Sequence, residues 1–127
     1  MKIIEYKSLL SEYNINELSS EQCKLIKLAE KSSLKAYAPY SNFFVGAAIK
    51  LSNGKMVTGN NQENSAFPSG LCAERVALFY AGANYPNEKI EKIAIFAKAS
   101  FNFNQIIMPC GNCRASFFFL KIESKFV

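Results

Sequence analysis

Hydrophobic residues recur at helical spacing in two segments of the chain. Shorter apolar runs, of the length of a strand, lie between and after these segments. The first predicted helix begins at Ser19 and should end near Tyr37, because Pro39 disfavours helical geometry at the residue before it. The second predicted helix runs from Leu71 to Ala83, and Gly82 is a candidate for its end.

Three strands are expected between and after these helices. Phe43 to Leu51 reads as a buried strand, and an Asn-Gly turn joins it to an antiparallel partner from Lys55 to about Asn60. Ile90 to Lys98 contains a continuous apolar run that predicts burial on both faces. Another helix is expected from Gly111 onwards. The order predicts an α/β layered fold, with a mixed β-sheet flanked by helices.

Length and composition limit the architecture and the partners. The chain of 127 residues fits a single domain, 1–127, in which residues 1–17 have mixed character and form an N-terminal extension. No apolar run approaches the roughly 20 residues of a membrane helix, and no signal-peptide pattern is present. We therefore expect a cytoplasmic protein without a membrane partner.

The net charge of +5 is spread rather than concentrated. The lysines of the first predicted helix recur at three- and four-residue steps, which is typical of a solvated helix face. No stacking aromatics accompany them, so a nucleic-acid partner is not expected.

The chain has four cysteines and no histidine, which limits its chemistry. A Ser-His-Asp triad and a histidine zinc site are both excluded. Disulfides are not expected in a cytoplasmic protein, so a metal site or a redox pair is the better hypothesis. Cys110-Gly-Asn-Cys113 alone is compatible with a redox dithiol, half of a structural zinc site, or two ligands of a catalytic zinc.

A second motif, Cys72-Ala73-Glu74-Arg75, favours the catalytic reading. It adds a third thiolate, and three thiolates leave one zinc position open, whereas a structural site needs a fourth ligand such as Cys23 or a carboxylate. Glu74 is then the candidate general acid and base. Arg75 is a candidate donor to thiolate sulfur, since three thiolates around Zn²⁺ leave a net charge of −1.

Together with further segments in the right order, these motifs resemble the cytidine deaminase family in its small, three-cysteine, homotetrameric form. The additional segments are Tyr40-Ser41-Asn42-Phe43, Val45-Gly46-Ala47-Ala48 and Asn61-Gln62-Glu63-Asn64. A non-ligand Glu and a later Pro-Cys-x-x-Cys are the pattern of zinc deaminases. The similarity spans a core of about residues 37–114.

The resemblance implies one Zn²⁺ per chain, held by Cys72, Cys110 and Cys113, and a small nucleoside as substrate. It implies hydrolytic deamination of cytidine and deoxycytidine to the uridine forms in pyrimidine salvage, with hydroxide on zinc attacking C4 and Glu74 as the proton shuttle. It further implies that Phe43 stacks on the pyrimidine and that Asn61 and Glu63 bind the ribose hydroxyls. The Ala73 N–H and the backbone near Phe67 to Ser69 would read the base edge.

The chain departs from the family near its end, which keeps two alternatives open. Ala115 stands where the family usually has Gln, and only residues 114–127 follow Cys113. Family members continue with a full helix, two more strands and a segment that covers a neighbouring subunit's pocket. We therefore expect a C-terminally shortened form, in which the last strands of the sheet can be missing. The alternatives are a blasticidin-type antibiotic deaminase and an inactive zinc-binding fragment.

Overall fold

The structure is a computed structural model that describes residues 1–5, 7, 9–100, 107–119 and 122–126. Its helices and strands follow the predicted order and add one strand at the end. Two short 3-10 turns lie at Ile15–Glu17 and Phe67–Ser69. The elements are α1 (Ser20–Ser33), β1 (Phe43–Leu51), β2 (Met56–Asn60), α2 (Ala73–Asn84), β3 (Ile90–Ala99), α3 (Gly111–Phe119) and β4 (Ile122–Phe126).

The four strands form one mixed sheet in the order β2-β1-β3-β4. The central strand β1 pairs antiparallel with both β2 and β3, while β3 and β4 pair in parallel. Gly54 has φ 81°, a left-handed conformation that glycine adopts without strain, so the Asn-Gly turn closes the β1–β2 hairpin. The predicted mixed sheet is confirmed.

Helices cover both faces of this sheet. Side chains alternate between the two faces along each strand, so β1 and β3 contribute to the apolar clusters on both faces. Ala48 and Ala94 point to α1, where they pack with Leu25 and Ala29. The other face carries the larger apolar cluster, shared with α2 and α3. Its fully or nearly fully buried members include Ala47, Ile49, Leu51, Ala73, Ala77, Leu78, Ile93 and Cys113.

Helix α1 begins where the sequence predicts but ends earlier. The Ser19 hydroxyl accepts from the Gln22 N–H at 3.2 Å, and the Gln22 side chain accepts from the Ser19 N–H at 2.9 Å, which completes a capping box. The helix ends at Ser33 rather than near Tyr37. The reason is a long-range contact, since the Tyr37 N–H donates to the Asn61 carbonyl at 3.0 Å and draws the chain towards the sheet.

One further expectation needs correction. Gly82 does not end α2, which continues to Asn84, because one helical glycine costs only about 1 kcal/mol and the Asn84 side-chain amide donates to the Tyr80 carbonyl at 2.9 Å. At one edge of the sheet, β4 pairs with β3 at Ile90, Lys92 and Ile93. None of the described helices has the length and apolarity of a membrane-crossing segment.

Candidate metal centre and active site

Three cysteine thiols converge on the face of the sheet that is covered by α2 and α3. The Sγ atoms of Cys72, Cys110 and Cys113 all lie within 4.8 Å of one another. Cys72 Sγ is 3.8 Å from Cys110 Sγ, which is 3.5 Å from Cys113 Sγ. Thiolates bound to zinc at about 2.3 Å in tetrahedral geometry stand about 3.8 Å apart. The spacing of the thiols therefore fits a single zinc ion.

Two helix N-termini bring these thiols together. Cys72 is the N-cap of α2, and Cys110 directly precedes α3, whose first turn contains Cys113. The first backbone bonds of the helices return to the same residues, from the Val76 N–H to the Cys72 carbonyl at 3.1 Å and from the Arg114 N–H to the Cys110 carbonyl at 2.9 Å. Thiolates are favoured at this end of a helix by its exposed N–H groups and its dipole.

The cluster combines a buried thiol with an accessible one. Cys113 is fully buried, Cys72 is half-buried and Cys110 is exposed. A hydrogen bond from Cys113, together with the nearby Arg75 guanidinium, lowers the pKa of Cys72 to about 5. Sharing a proton with Cys72 raises the pKa of Cys113. The exposed side leaves room for a small molecule to reach the thiols.

Glu74 places a carboxyl group against this cluster from the first turn of α2. The residue is only 6% exposed. Burial is the main cause that raises the pKa of its carboxyl, and the neighbouring Cys72 acts in the same direction, whereas a hydrogen bond with Cys113 opposes them. A buried carboxyl beside a metal-binding cluster can hold a proton and pass it on, which suits a general acid or base.

Arg75 lies against the same thiols, and its environment is a further indication that they bind a metal ion as thiolates. Its guanidinium interacts with Cys72 and Cys113. Its Nε–H is buried and finds no hydrogen-bond acceptor in the described part of the chain. A buried orphan donor is costly, and a site with a net charge of −1 would offset that cost electrostatically. The donor set and this side chain both fit zinc.

A fourth protein ligand is missing from the described residues. Only Cys72, Cys110 and Cys113 form a group able to hold a metal among residues 1–5, 7, 9–100 and 107–118. Cys23, the thiol that a structural site could have used, instead points to the carbonyls of Ile15 and Leu18 at 3.8 and 4.0 Å. Three ligands and an accessible side correspond to the pattern of a catalytic zinc.

The remaining predicted residues form a second network at the start of β1. The Asn61 side chain bridges the strand, since its Oδ1 accepts from the Val45 N–H at 2.8 Å and its Nδ2 donates to the Phe43 carbonyl at 2.9 Å. Phe43 is half-buried at the first position of the strand. Asn61 thus holds the backbone on either side of Phe44 in place.

Glu63 belongs to the same network and connects it to Ser41, a residue to which the sequence analysis assigned no role. Its carboxylate accepts from the Tyr40 N–H at 2.9 Å, from the Ser41 N–H at 3.3 Å, and from the Ser41 hydroxyl. The Ser41 hydroxyl also accepts from the Phe43 N–H at 3.1 Å. The only signal in the sequence was the place of Ser41 in the Tyr-Ser-Asn-Phe segment.

A short backbone pairing connects the second network to the thiols. Gln62, between Asn61 and Glu63, exchanges two hydrogen bonds of 2.9 Å with Leu71, the residue before Cys72. Ala73 is fully buried at the first position of α2. The 3-10 turn Phe67–Ser69 lies between the two segments, with the Phe67 side chain exposed.

A separate cavity lies away from both networks. It encloses about 460 Å³ and is lined by the last turns of α2, the loop after it and the start of β3, including Leu78, Tyr85 and Ile90. None of the predicted site residues lines it, so it plays no part in the site described above.

The sequence is similar to those of known cytidine deaminases. The cytidine deaminase of Halalkalibacterium halodurans is 40% identical over 90 residues, which cover 71% of this chain and 64% of that protein. The probable cytidine deaminase of Dictyostelium discoideum is 38% identical over 100 residues, with coverages of 79% and 64%. The chain thus spans a little less than two thirds of the length of these relatives.

Solved structures show the same fold. The crystal structure of cytidine deaminase from Burkholderia pseudomallei superposes with a TM-score of 0.70 at 39% identity, covering 84% of this chain and 83% of that one. The model of the cytidine and deoxycytidylate deaminase zinc-binding region matches residues 19–127, which include all three thiols and Glu74. The chain therefore belongs to the zinc-binding cytidine and deoxycytidylate deaminase family.

Proposed function

We propose that this chain is a zinc-dependent deaminase, which hydrolyses cytidine and deoxycytidine to uridine and deoxyuridine and releases ammonia. The observation that carries the proposal is the buried Glu74 carboxyl beside three converging thiols. Cys72, Cys110 and Cys113 would hold the zinc ion. When bound, zinc acts as a Lewis acid and makes water a usable nucleophile near neutral pH.

The chain's own residues supply proton transfer and recognition. Glu74 takes the proton of the attacking water, protonates N3 of the pyrimidine and then relays a proton to the departing amine. Arg75 offsets the negative charge of the thiolates. The N–H of Ala73, which has no intrahelical partner at the first position of α2, is available for the base edge.

The second network supplies the sugar and base contacts of this proposal. Phe43 stacks on the pyrimidine, while Asn61 and Glu63 receive the ribose hydroxyls. Their support is the hydrogen-bonded framework that fixes both side chains beside the start of β1. Because that framework is tied to Leu71 and hence to Cys72, a nucleoside could contact both networks at once.

The proposed setting is pyrimidine salvage in the cytoplasm by a homotetramer. Several aromatic side chains are exposed to solvent in the single chain. They support self-association, because large exposed apolar groups often mark interfaces. Phe79 and Tyr80 on α2 are about half exposed, at 50% and 52%, and Phe67 is 89% exposed. The mass of the purified protein by size exclusion with light scattering tests the assembly.

The activity is tested with protein purified in the presence of zinc. We expect about one zinc per chain by elemental mass spectrometry. We also expect the protein to convert cytidine, which is followed by the fall in absorbance and the release of ammonia. Glu74→Gln should keep zinc and lose activity by a factor of about 10² to 10⁴. Glu30→Gln, on the exposed side of α1, is the matched control and should be fully active.

Three results would decide against parts of the proposal. Zinc without turnover of any cytosine nucleoside would make the chain a zinc-binding module. A fully active Glu74→Gln variant would remove that carboxyl from the mechanism. Preference for a cytosine-containing antibiotic over cytidine would change the substrate class.

A further inference from the structure

The Ser41 hydroxyl is the centre of the network at the start of β1. It donates to Glu63 Oε1 and accepts from the Phe43 N–H at 3.1 Å. The Ser41 N–H also donates to Glu63 Oε2 at 3.3 Å, beside the Tyr40 N–H at 2.9 Å. One serine therefore contacts a proposed sugar-binding carboxylate and the backbone of the proposed stacking residue.

The direction of this hydroxyl is fixed by its two partners. A serine hydroxyl has one proton and two lone pairs, an N–H can only donate, and an ionised carboxylate can only accept. The Phe43 N–H must occupy a lone pair, so the proton must go to Glu63. That hydrogen bond from Ser41 is the main cause that lowers the pKa of Glu63, which favours the ionised carboxylate.

The bonds already made by Glu63 define what else it can bind. An ionised carboxylate offers about four acceptor positions. Three donors, the N–H groups of Tyr40 and Ser41 and the Ser41 hydroxyl, occupy three of them. About one acceptor position remains, and it matches a ligand hydroxyl that donates a single hydrogen bond.

The backbone between Ser41 and Phe43 has an unusual conformation that makes the arrangement possible. Asn42 has φ 52°, in the left-handed region that residues other than glycine seldom occupy. Its N–H donates to the Ala38 carbonyl at 3.1 Å, and its carbonyl accepts from the Ser100 N–H at 3.3 Å. Such conformations cluster at functional sites, where surrounding contacts hold them.

We propose that Ser41 is a positioning residue that aims the free acceptor position of Glu63 at a ribose hydroxyl and holds the Phe43 backbone in register with it. This inference rests on the proposed function, because it takes a nucleoside as the ligand. It assigns the preference for a sugar with free hydroxyls to Ser41 acting through Glu63. Ser41 itself need not touch the substrate.

The test compares substitutions at two serines that make the same pair of bonds. Ser41→Ala removes the positioning hydroxyl, and Ser41→Thr retains one. The matched control is Ser52→Ala, because the Ser52 hydroxyl donates to Glu88 Oε2 at 2.6 Å and accepts from the Lys89 N–H at 3.0 Å, after the far end of β1. A general effect of losing such a bond would appear in both alanine variants.

Zinc-loaded proteins are assayed for kcat and KM with cytidine and with 2′,3′-dideoxycytidine, which lacks the sugar hydroxyls. The Kd values of uridine and 2′,3′-dideoxyuridine are measured by calorimetry. Ser41→Ala should raise KM and Kd for the hydroxylated ligands about tenfold, the effect of a lost hydrogen bond to a charged group. The constants for the dideoxy ligands should stay within about twofold, Ser41→Thr should restore binding, and Ser52→Ala should change neither.

The outcomes separate this inference from the proposed function. Equal losses with both kinds of sugar, no loss in Ser41→Ala, or failure of Ser41→Thr to restore binding would overturn the positioning role. A wild-type protein that binds uridine but does not deaminate cytidine would refute the activity, while the Kd comparison would still decide the role of Ser41. A wild-type protein with no preference for uridine over its dideoxy form would overturn the inference.

Discussion

Replacing Gly59 by alanine should push α2 away from the sheet and weaken zinc binding. A Cβ at Gly59 would lie 2.4 Å from the Ala77 nitrogen and 2.7 Å from the Ala73 carbonyl oxygen. Both atoms belong to the backbone of α2, so no side-chain rotation can relieve the contact. The position of the helix that carries Cys72 and Glu74 therefore depends on the absence of a side chain at Gly59.

The size of the effect follows from these distances. Ordinary contact begins at 3.4 Å, so the separation must grow by 3.4 − 2.4, or about 1.0 Å. Overpacking of this kind costs about 1–3 kcal/mol, and roughly 4 °C of Tm per kcal/mol predicts a fall of about 4–12 °C. Cys72 would shift relative to Cys110 and Cys113, and a misplacement of about 1 Å can cost about 10² in rate.

Gly82→Ala is the control, since it adds the same methyl group to α2 itself, the helix that Gly59→Ala in β2 would push away. A Cβ at Gly82 would meet nothing within 4 Å. Alanine is favoured over glycine in a helix by about 1 kcal/mol, so this variant should be as stable as the wild type or more so. Thermal unfolding with and without a chelator, and zinc affinity by chelator competition, provide the measurements. Unchanged Tm and zinc affinity in Gly59→Ala would refute the close-approach explanation.

Variants at three further positions test other parts of the fold. Hydrogen bonds from Lys50 and Lys92 lower the pKa of Glu21 from 4.5 to about 2, so its contribution to stability is present above about pH 4.5 and lost as the pH falls to about 2. Glu21→Gln should therefore flatten the loss of stability across that window in urea unfolding, and an unchanged acid profile would contradict the pairing. Asn42→Ala should lower the free energy of unfolding by about 1 kcal/mol while Asn42→Gly does not, because of the left-handed φ; the reverse order would contradict the strain. Ile49→Ala, at a fully buried position, should cost about 2–5 kcal/mol in denaturant unfolding, and a loss below 1 kcal/mol would argue against that packing.

Elements governed by local chemistry were predictable from the sequence. The cap at Ser19 starts α1, the Asn-Gly turn closes the first hairpin, and β1 has the predicted bounds. In these cases the determining residues are within a few positions of one another. The three cysteines were also accessible from their short motifs at predicted helix starts, although Cys72 and Cys110 are 38 positions apart and the family resemblance was needed to join them.

Features that depend on distant partners were not predictable in the same way. Nothing near Tyr37 indicates that its N–H will bond to the Asn61 carbonyl, so the predicted end of α1 was wrong. The pairing of β4 with β3 joins segments about 30 positions apart. The contact of Ser41 with Glu63 has the same origin, since the two residues are 22 positions apart.

The two halves of the site therefore depend on different levels of the structure. The metal half requires three thiols at two helix starts, where short motifs place them, and it requires α2 to approach the sheet at Gly59. The proposed sugar-binding half requires the loop before β1 to meet the segment after β2, which only the assembled fold achieves. Because the Gln62–Leu71 pairing is a backbone link between the two halves, damage to the proposed sugar-binding half should spare zinc binding, whereas displacement of α2 should affect both zinc binding and turnover.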